Sequence, residues 1–327
     1  MTRVLSGIKP TGQVTLGNYL GALAGWVDDQ HHHDSFYCVV DLHALTVPHD
    51  PAELRQLTLE QAQTLLAVGL DPAVCTLFIQ SHVPEHTELA WLMECNVAFG
   101  ELRRMTQFKD KSTGHDFVSA GLFTYPALMA ADILVYGADR VPVGDDQVQH
   151  LELTRDIAIR FNSRYGDTFI VPDAAVPTVG ARIMDLQDPS RKMGKSEDSP
   201  QGTVLLLEDP STIAKKIKRA VTDNDAEVRF DRHSKPGVSN LLAILGAATG
   251  RSPEDLAGQY TRYGPLKSDT ADAVVALVEP VQARYATLAA DPAETSRLLA
   301  KGAAKASEVA ATTLSRAKEA IGLLPPA

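Results

Sequence analysis

Three short apolar runs rich in β-favouring residues mark the first quarter of the chain: "RVLSG" at 3–7, "FYCVVD" at 36–41 and "CTLFIQS" at 75–81. Each reads as a strand. Between the second and third lies "DPAELRQLTLEQAQTLLAVG", residues 50–69, with helical periodicity. Asp50 is a good N-cap, Pro51 suits the first helical position, Glu53 can complete a capping arrangement and Gly69 suits the stop. Leu54, Leu57, Leu65 and Val68 supply an inward stripe. Residues 18–29 carry a shorter helical pattern, and "VPVG" at 141–144 predicts another strand ahead of the helical "DDQVQHLELTRDIAIRF". The order βαβαβ implies a parallel sheet with right-handed crossovers. Beyond about residue 205 every patterned segment reads as helix, ending with "AETSRLLAKGAAKASEVAATTLSRAKEAIG". The expected fold is therefore α/β, a Rossmann-like doubly wound parallel sheet with an appended all-helical domain. Ligands of such sheets sit outside the carboxyl ends of strands, where "SGIKPTG", "DLHALT" and "QSHVPEH" fall.

Composition narrows the partners more than the fold. At 327 residues the chain has room for about two domains. Lys plus Arg total 31 against 41 Asp plus Glu, a formal charge of −10, which disfavours indiscriminate adhesion to nucleic acid or anionic lipid. Any RNA contact needs a local basic face, and two clusters qualify: "ELRRMTQFKDK" (Arg103, Arg104, Lys109, Lys111) and "AKKIKRA" (Lys215, Lys216, Lys218, Arg219). Cys38, Cys75 and Cys95 form no CxxC pair and sit in apolar contexts, so buried free thiols are expected. His31, His32 and His33 read as a polar surface loop. No run approaches a membrane span and "MTRVLSGIKPTG" lacks the apolar stretch of a signal peptide, so the chain reads as cytoplasmic.

Four stretches carry candidate chemistry. "GIKPTGQVTLGNYLG" is glycine-rich between a strand and a helix, a context for anion binding, but it is not GxGxxG. "RKMGKSEDSP", 191–200, is a basic turn closed by proline; a Walker loop is excluded because position 189 is Pro. It reads either as a solvated turn or as a clamp for a polyanion. In "LFTYPALMAADILVYG" every residue from Ala127 to Tyr136 except Asp132 is apolar or small, so a carboxylate is predicted inside a buried helix. Either Asp132 pairs with a nearby arginine or caps a neighbouring backbone, or it waits for a ligand N–H. Tyr125 and Met129 share its face. In "VPVGDDQVQH", Asp145 and Asp146 suit a helix N-terminus, and Gln147 and His150 share a face. His43, just past the second strand, is read as lining a pocket.

Together these stretches resemble the bacterial tryptophanyl-tRNA synthetase family of class I aminoacyl-tRNA synthetases. "TLGN" at 15–18 is similar to the family's HIGH motif and "KMGKS" at 192–196 to its KMSKS motif. "TYPALMAADIL" and "VPVGDDQVQHLELTRDIA" are similar to its specificity helix and GEDQ-type segment, and "IKRAVTDND" and "GVSNLL" to its helical domain. The resemblance implies activation of tryptophan by ATP with Mg²⁺, transfer to the terminal ribose of tRNA(Trp), and a homodimer. It implies that Lys192 and Lys195 close over the triphosphate, with Thr15, Asn18 and Lys111 assisting. ATP-contacting positions would be Lys9, Pro10, Thr11, Gly17, Asn18, Gly144, Asp145, Asp146 and Ile183, together with Lys192, Met193, Gly194, Lys195 and Ser196. Asp132 would accept the indole N–H, Tyr125 and Gln147 would hold the amino group, and Met129, His43, Val141, Val143, Leu5 and Gly7 would line the pocket. No metal ligand from the protein is implied.

The resemblance further implies a catalytic domain over 1–204 with a connecting insertion near 100–140, a helical anticodon-binding domain over 205–305, and a C-terminal helix over 306–327 that packs back on the first domain. Thr15 and Asn18 replace both HIGH histidines, Gly194 replaces a serine, Lys9 a glutamine and Leu5 a phenylalanine. Two other readings stay open: a tyrosyl-tRNA synthetase, and a synthetase-like paralogue that binds tryptophan or RNA without charging.

Overall fold

In the computed structural model, five parallel strands form one sheet in the order β3-β2-β1-β4-β5. They are β1 Arg3–Ile8, β2 Asp34–Val39, β3 Thr76–Ile79, β4 Arg140–Pro142 and β5 Asp173–Ala175. The structure describes residues 1–112, 117–142, 144, 147–175, 182–194 and 199–325, with backbone alone at 110–112, 174 and 175. Register runs from Arg3 opposite Asp34 to Ile8 opposite Val39, and Phe36 lies opposite Thr76. Strand order reverses between β1 and β4, the switch point at which doubly wound sheets bind ligands. The first four strands lie where the apolar runs predict them. β5, three residues with two alanines, carries no such run.

The helix Pro51–Val68 begins as its sequence requires. Asp50 accepts from the backbone N–H groups of Ala52 and Glu53, each at 2.9 Å, and Gly69 ends it at φ +120°. Its burial differs from the predicted stripe. Leu54 and Leu57 are only half-buried, whereas residues 61–68 are buried all round. The second half lies between the sheet and the long helix Tyr263–Ala290, whose Arg284 donates to the Ala67 carbonyl at 2.5 Å.

Each face of the sheet has its own core. On one face Tyr37, Val39, Leu77 and Ile79 join the helix Pro51–Val68 and continue into Ile213, Leu241, Leu242 and Val274 of the helical half. The helical half therefore shares a core with the sheet. On the other face Leu5, Phe36 and Phe78 pack with the helices Ala120–Leu134, Val148–Tyr165 and Pro292–Ala320. A Cβ at Gly302 would lie 1.8 Å from the Leu77 carbonyl oxygen, so only glycine lets the last helix rest directly on β3. That helix runs unbroken from 292 to 320, and the boundary expected at 305 falls inside it.

Cys38 and Cys75 are buried, but Cys95 is exposed, because it caps the end of the helix Glu85–Glu94 at the surface. His31 and His32 are exposed in the turn after the helix Ala24–Asp29. Among the described residues no helix is long and apolar enough to cross a membrane.

Candidate active site

Asp132 stands in the fourth turn of the helix Ala120–Leu134, only 5% exposed. A carboxylate there must be compensated, and three side chains from other elements do so. Gln80 Nε2 donates to its Oδ1 at 2.7 Å, and His86 Nδ1 reaches the same oxygen at 2.6 Å. His43 Nε2 lies 2.7 Å from Oδ2. His43 follows β2, Gln80 follows β3 and His86 opens the next helix, so strand ends deliver the partners. Among the described residues no arginine reaches it, so the arginine pair, one of the open readings, is not the one formed. Burial alone pushes the Asp132 carboxyl up, but the hydrogen bonds from His43 and His86 outweigh it and hold the group well below the usual carboxylate range. An ionised carboxylate offers about four acceptor positions. Among the described residues two donors fill Oδ1 and one occupies Oδ2, so one lone pair of Oδ2 remains to accept from a ligand.

Tyr125, two turns before Asp132, is buried with its ring edge-on to His43 at 6.1 Å between centroids. Its hydroxyl donates to Gln107 Oε1 at 3.1 Å, which leaves the oxygen to accept from His150 Nε2 at 2.5 Å. Lys9, just past β1, holds its ammonium 5.3 Å from the centre of the Tyr125 ring. Met129 is half-buried, Leu5 and Val141 are buried, and Gly7 is exposed. Pro10 is buried and Thr11 exposed in the turn after β1, and Gly144 follows β4, its carbonyl accepting from the Gln147 N–H at 2.9 Å. Tyr125, Asp132, His43 and Lys9 thus converge at the carboxyl ends of β1, β2 and β3.

The "TLGN" segment builds a capping box. Asn18 Oδ1 accepts from the Thr15 N–H and Thr15 Oγ1 accepts from the Asn18 N–H, both at 3.1 Å. The Thr15 hydroxyl also donates to Asn18 Oδ1 at 3.1 Å and is fully buried. A role as direct donor to a ligand does not fit Thr15: its hydroxyl proton is spent orienting Asn18. The Asn18 amide Nδ2 has no partner among the described residues, and its side chain is half-buried at the helix start. The helix that follows passes through a π-turn at Tyr19–Leu23, a form frequent near functional sites.

The second motif folds directly against the first. A Cβ at Gly17 would lie 2.9 Å from the Met193 carbonyl and 3.2 Å from Met193 Cβ, so glycine is needed for the two motifs to touch. Met193 is buried and its N–H donates to the Ile183 carbonyl at 3.0 Å, while Met184 and Lys192 form an antiparallel bridge. Gly194 is half-buried and Lys192 exposed. Asn240 from the helix Pro236–Thr249 clamps this bridge from behind. Its Oδ1 accepts from the Met184 N–H and its Nδ2 donates to the Met184 carbonyl, both at 2.8 Å. The "GVSNLL" stretch therefore ties the helical half to the basic segment.

Lys195, Ser196, Asp145, Asp146 and Val143 lie outside the described residues, as does the side chain of Lys111. Of the two basic clusters, Arg103, Arg104 and Lys109 are exposed. In the other, Lys215, Lys218 and Arg219 are exposed but Lys216 is not. Its ammonium is buried on the Thr203 carbonyl at 2.9 Å and on Glu208 at 2.7 Å, so it cannot serve a phosphate. Gln80, His86, Tyr136 and Asn240 were not singled out from the sequence. Only "QSHVPEH", placed at a strand end, pointed to the first two.

A sheet of this order with "TLGN" seated against Met193 of the second motif has the architecture of a class I tRNA synthetase catalytic domain. The profile of the family described as tRNA synthetases class I (W and Y) matches residues 1–279, and the chain belongs to that family. It is 56% identical over 329 residues to Tryptophan--tRNA ligase 1 of Streptomyces avermitilis, a match covering 99% of each chain. The crystal structure of tryptophanyl-tRNA synthetase from Mycoplasma pneumoniae superposes with a TM-score of 0.93 at 37% identity, covering 99% of this chain and 98% of that one. The Campylobacter jejuni tryptophanyl-tRNA synthetase complexed with ADP and tryptophan superposes with a TM-score of 0.84 at 33% identity, covering 98% and 100%.

Proposed function

We propose that the chain is an ATP-dependent tryptophan–tRNA ligase. The observation that carries this reading is the Asp132 carboxylate: buried, surrounded by three donors, with one Oδ2 lone pair left over among the described residues, on the helix that also carries Tyr125 and the half-buried Met129. Such a site suits an aromatic side chain bearing a single N–H donor. Asp132 accepts the indole N–H, Tyr125 and Gln147 hold the amino group, and His43, Met129, Val141, Val143, Leu5 and Gly7 surround the ring. Phenylalanine would leave that acceptor unpaired, a penalty that in hydrogen-bonding sites gives discrimination on the order of 10⁴–10⁵.

ATP lies across the turn after β1 and the helix start at 15–18. Lys9, Pro10, Thr11, Gly17, Asn18, Gly144, Asp145, Asp146 and Ile183 contact the nucleotide, and Thr15 acts through Asn18. The tryptophan carboxylate attacks the α-phosphorus, and the bond to pyrophosphate breaks. Lys192 and Lys195, with Met193, Gly194 and Ser196 on the same segment, offset the charge that grows on the leaving group, and Lys111 assists. Mg²⁺ enters with the nucleotide as part of the substrate and neutralises phosphate charge. The 2′-hydroxyl of the terminal tRNA(Trp) ribose then attacks the carbonyl carbon of the tryptophanyl-adenylate, the bond to the phosphate breaks, and AMP leaves with the α-phosphate, which takes up the hydroxyl proton. No protein nucleophile is required.

The enzyme works in the cytoplasm as a homodimer. Trp91 and Phe99, 65% and 69% exposed on successive helices, offer apolar surface for a second copy to cover. The deciding experiment is amino-acid-dependent ATP–pyrophosphate exchange with tryptophan and tyrosine side by side, followed by tRNA charging. Exchange with tryptophan alone is expected. Exchange with tyrosine would overturn the amino-acid assignment, and tryptophan binding without exchange would make the chain a non-charging paralogue.

A further inference from the structure

Behind Asp132 the polar contacts continue into the core. His86 is fully buried, with Nδ1 on Asp132 Oδ1 and Nε2 on the Tyr136 hydroxyl at 2.7 Å. An ionised carboxylate only accepts, so Nδ1 must carry the hydrogen. The other ring nitrogen, Nε2, faces the Tyr136 O–H, which can donate to it. Burial, and then the charges of Cys38 and Asp132, push the Tyr136 phenol far above its ordinary value, so it remains a donor. Its ring is held between Phe36, stacked at 4.8 Å, and Phe78, edge-on at 5.6 Å, and is 1% exposed. Its hydroxyl is aimed at His86.

We infer that Tyr136 is a positioning residue for amino-acid selection: by anchoring the His86 ring through Nε2 it keeps Nδ1–H, together with Gln80, on Asp132 Oδ1, so that Oδ2 is the oxygen presented to the amino acid. The inference rests on the reading that Asp132 accepts the ligand N–H. Without the hydroxyl, the buried Nε2 has no partner, and the imidazole gains by tilting toward any other donor or water within reach. Nδ1–H then leaves Oδ1, and the carboxylate is free to rotate from its position. Gln80 contributes from the other side, and its own Oε1 accepts from the Leu42 N–H at 3.1 Å, which locks the amide orientation.

The test compares kcat/KM in pyrophosphate exchange for tryptophan and for its benzothiophene analogue, which carries sulfur in place of the indole N–H. Wild type, Tyr136→Phe, Gln80→Met and Asp132→Asn are measured, with a melting curve for each. Tyr136→Phe is expected to lower the tryptophan-to-analogue ratio about tenfold, the scale of one misplaced hydrogen bond, through a higher KM for tryptophan. Gln80→Met, which removes the other Oδ1 donor, should do the same and carries the test if Tyr136→Phe does not fold. Equal losses for both amino acids would overturn the inference by making these residues merely structural. An unchanged ratio in both variants, with a collapsed ratio in Asp132→Asn, would overturn the inference and leave Asp132 as the acceptor. An unchanged ratio in Asp132→Asn would remove the acceptor reading, and the inference with it.

Discussion

Asp132 and Lys192 are opposite in more than sign. Asp132 is buried, with three donors delivered from the ends of two strands and the helix that follows the second, and its charge is compensated before any ligand arrives. Lys192 is exposed, on a short bridge held by backbone contacts to Ile183 and Met184 and clamped by Asn240. The contrast follows from the ligands each region is proposed to serve. A neutral aromatic ring offers one weak donor, so its recognition needs a dry, fixed acceptor whose alternatives are excluded. A triphosphate carries several charges and changes shape as pyrophosphate leaves, so it needs cations that keep their hydration until closure and a backbone that can move. One region stores its organisation in side-chain bonds, the other in a tethered segment.

Substitutions at the two places should therefore fail differently. Asp132→Ala would strand the donors of Gln80, His43 and His86, and is expected to cost about 3–5 kcal/mol of stability, since each buried donor left without an acceptor costs about 1–3 kcal/mol. It should also weaken tryptophan use while leaving the KM for ATP nearly unchanged; thermal melts and exchange kinetics read both. A stable Asp132→Ala protein would show that the pocket is not organised in advance. Lys192→Ala and Lys195→Ala should slow adenylate formation about 10²–10³-fold, the scale for losing one transition-state charge contact. For Lys192→Ala, melting should shift by no more than about 0.5 kcal/mol, as for ordinary surface changes. An equal loss of stability there would erase the distinction.

Asn240→Ala sharpens the comparison, since it touches neither proposed ligand. Losing its two bonds to Met184 should cost about 1–3 kcal/mol and slow exchange about tenfold, with amino-acid affinity retained. Equal effects on tryptophan affinity would mean that the two regions are coupled through the helical half. The smallest effect expected is in acid. The folded-state pKa of Asp132 lies below its unfolded value, so its contribution to stability is present above the ordinary carboxylate range and is lost as pH falls below it. Asp132→Asn should make the acid limb of a stability-versus-pH curve shallower than in wild type, and an unchanged limb would mean that the native carboxylate is not held ionised. Asp223 acts in the same direction: hydrogen bonds from Tyr263 and Lys235 overcome desolvation and lower it to about 2. Its exposure to solvent discounts its share.

The elements written in local patterns were legible. Asp50, Pro51 and Gly69 mark helix ends because capping is decided by the residues at the end itself. The strands at 3, 36 and 76 were readable because unbroken apolar runs bury on both faces. β5 was not, because three residues beside an existing strand need only backbone pairing. Asp132 stood out because a lone carboxylate in an apolar helix is costly in any fold. Its partners did not, since His43 lies 89 residues away in sequence and His86 46. Thr15 and Lys216 show the reverse error: each side chain has the right chemistry for a ligand, and the fold turns it inward onto Asn18 and Glu208.

The amino-acid sequence alone thus determined the strand and helix ends, the sheet type and the presence of a buried acid, all of which follow from interactions within a few residues. Only the tertiary structure decided which oxygen of Asp132 stays open, that Gly17 meets Met193, and that Asn240 grips the segment leading to Lys192. Those outcomes are distances between side chains from different elements, and no local pattern encodes a distance across the fold.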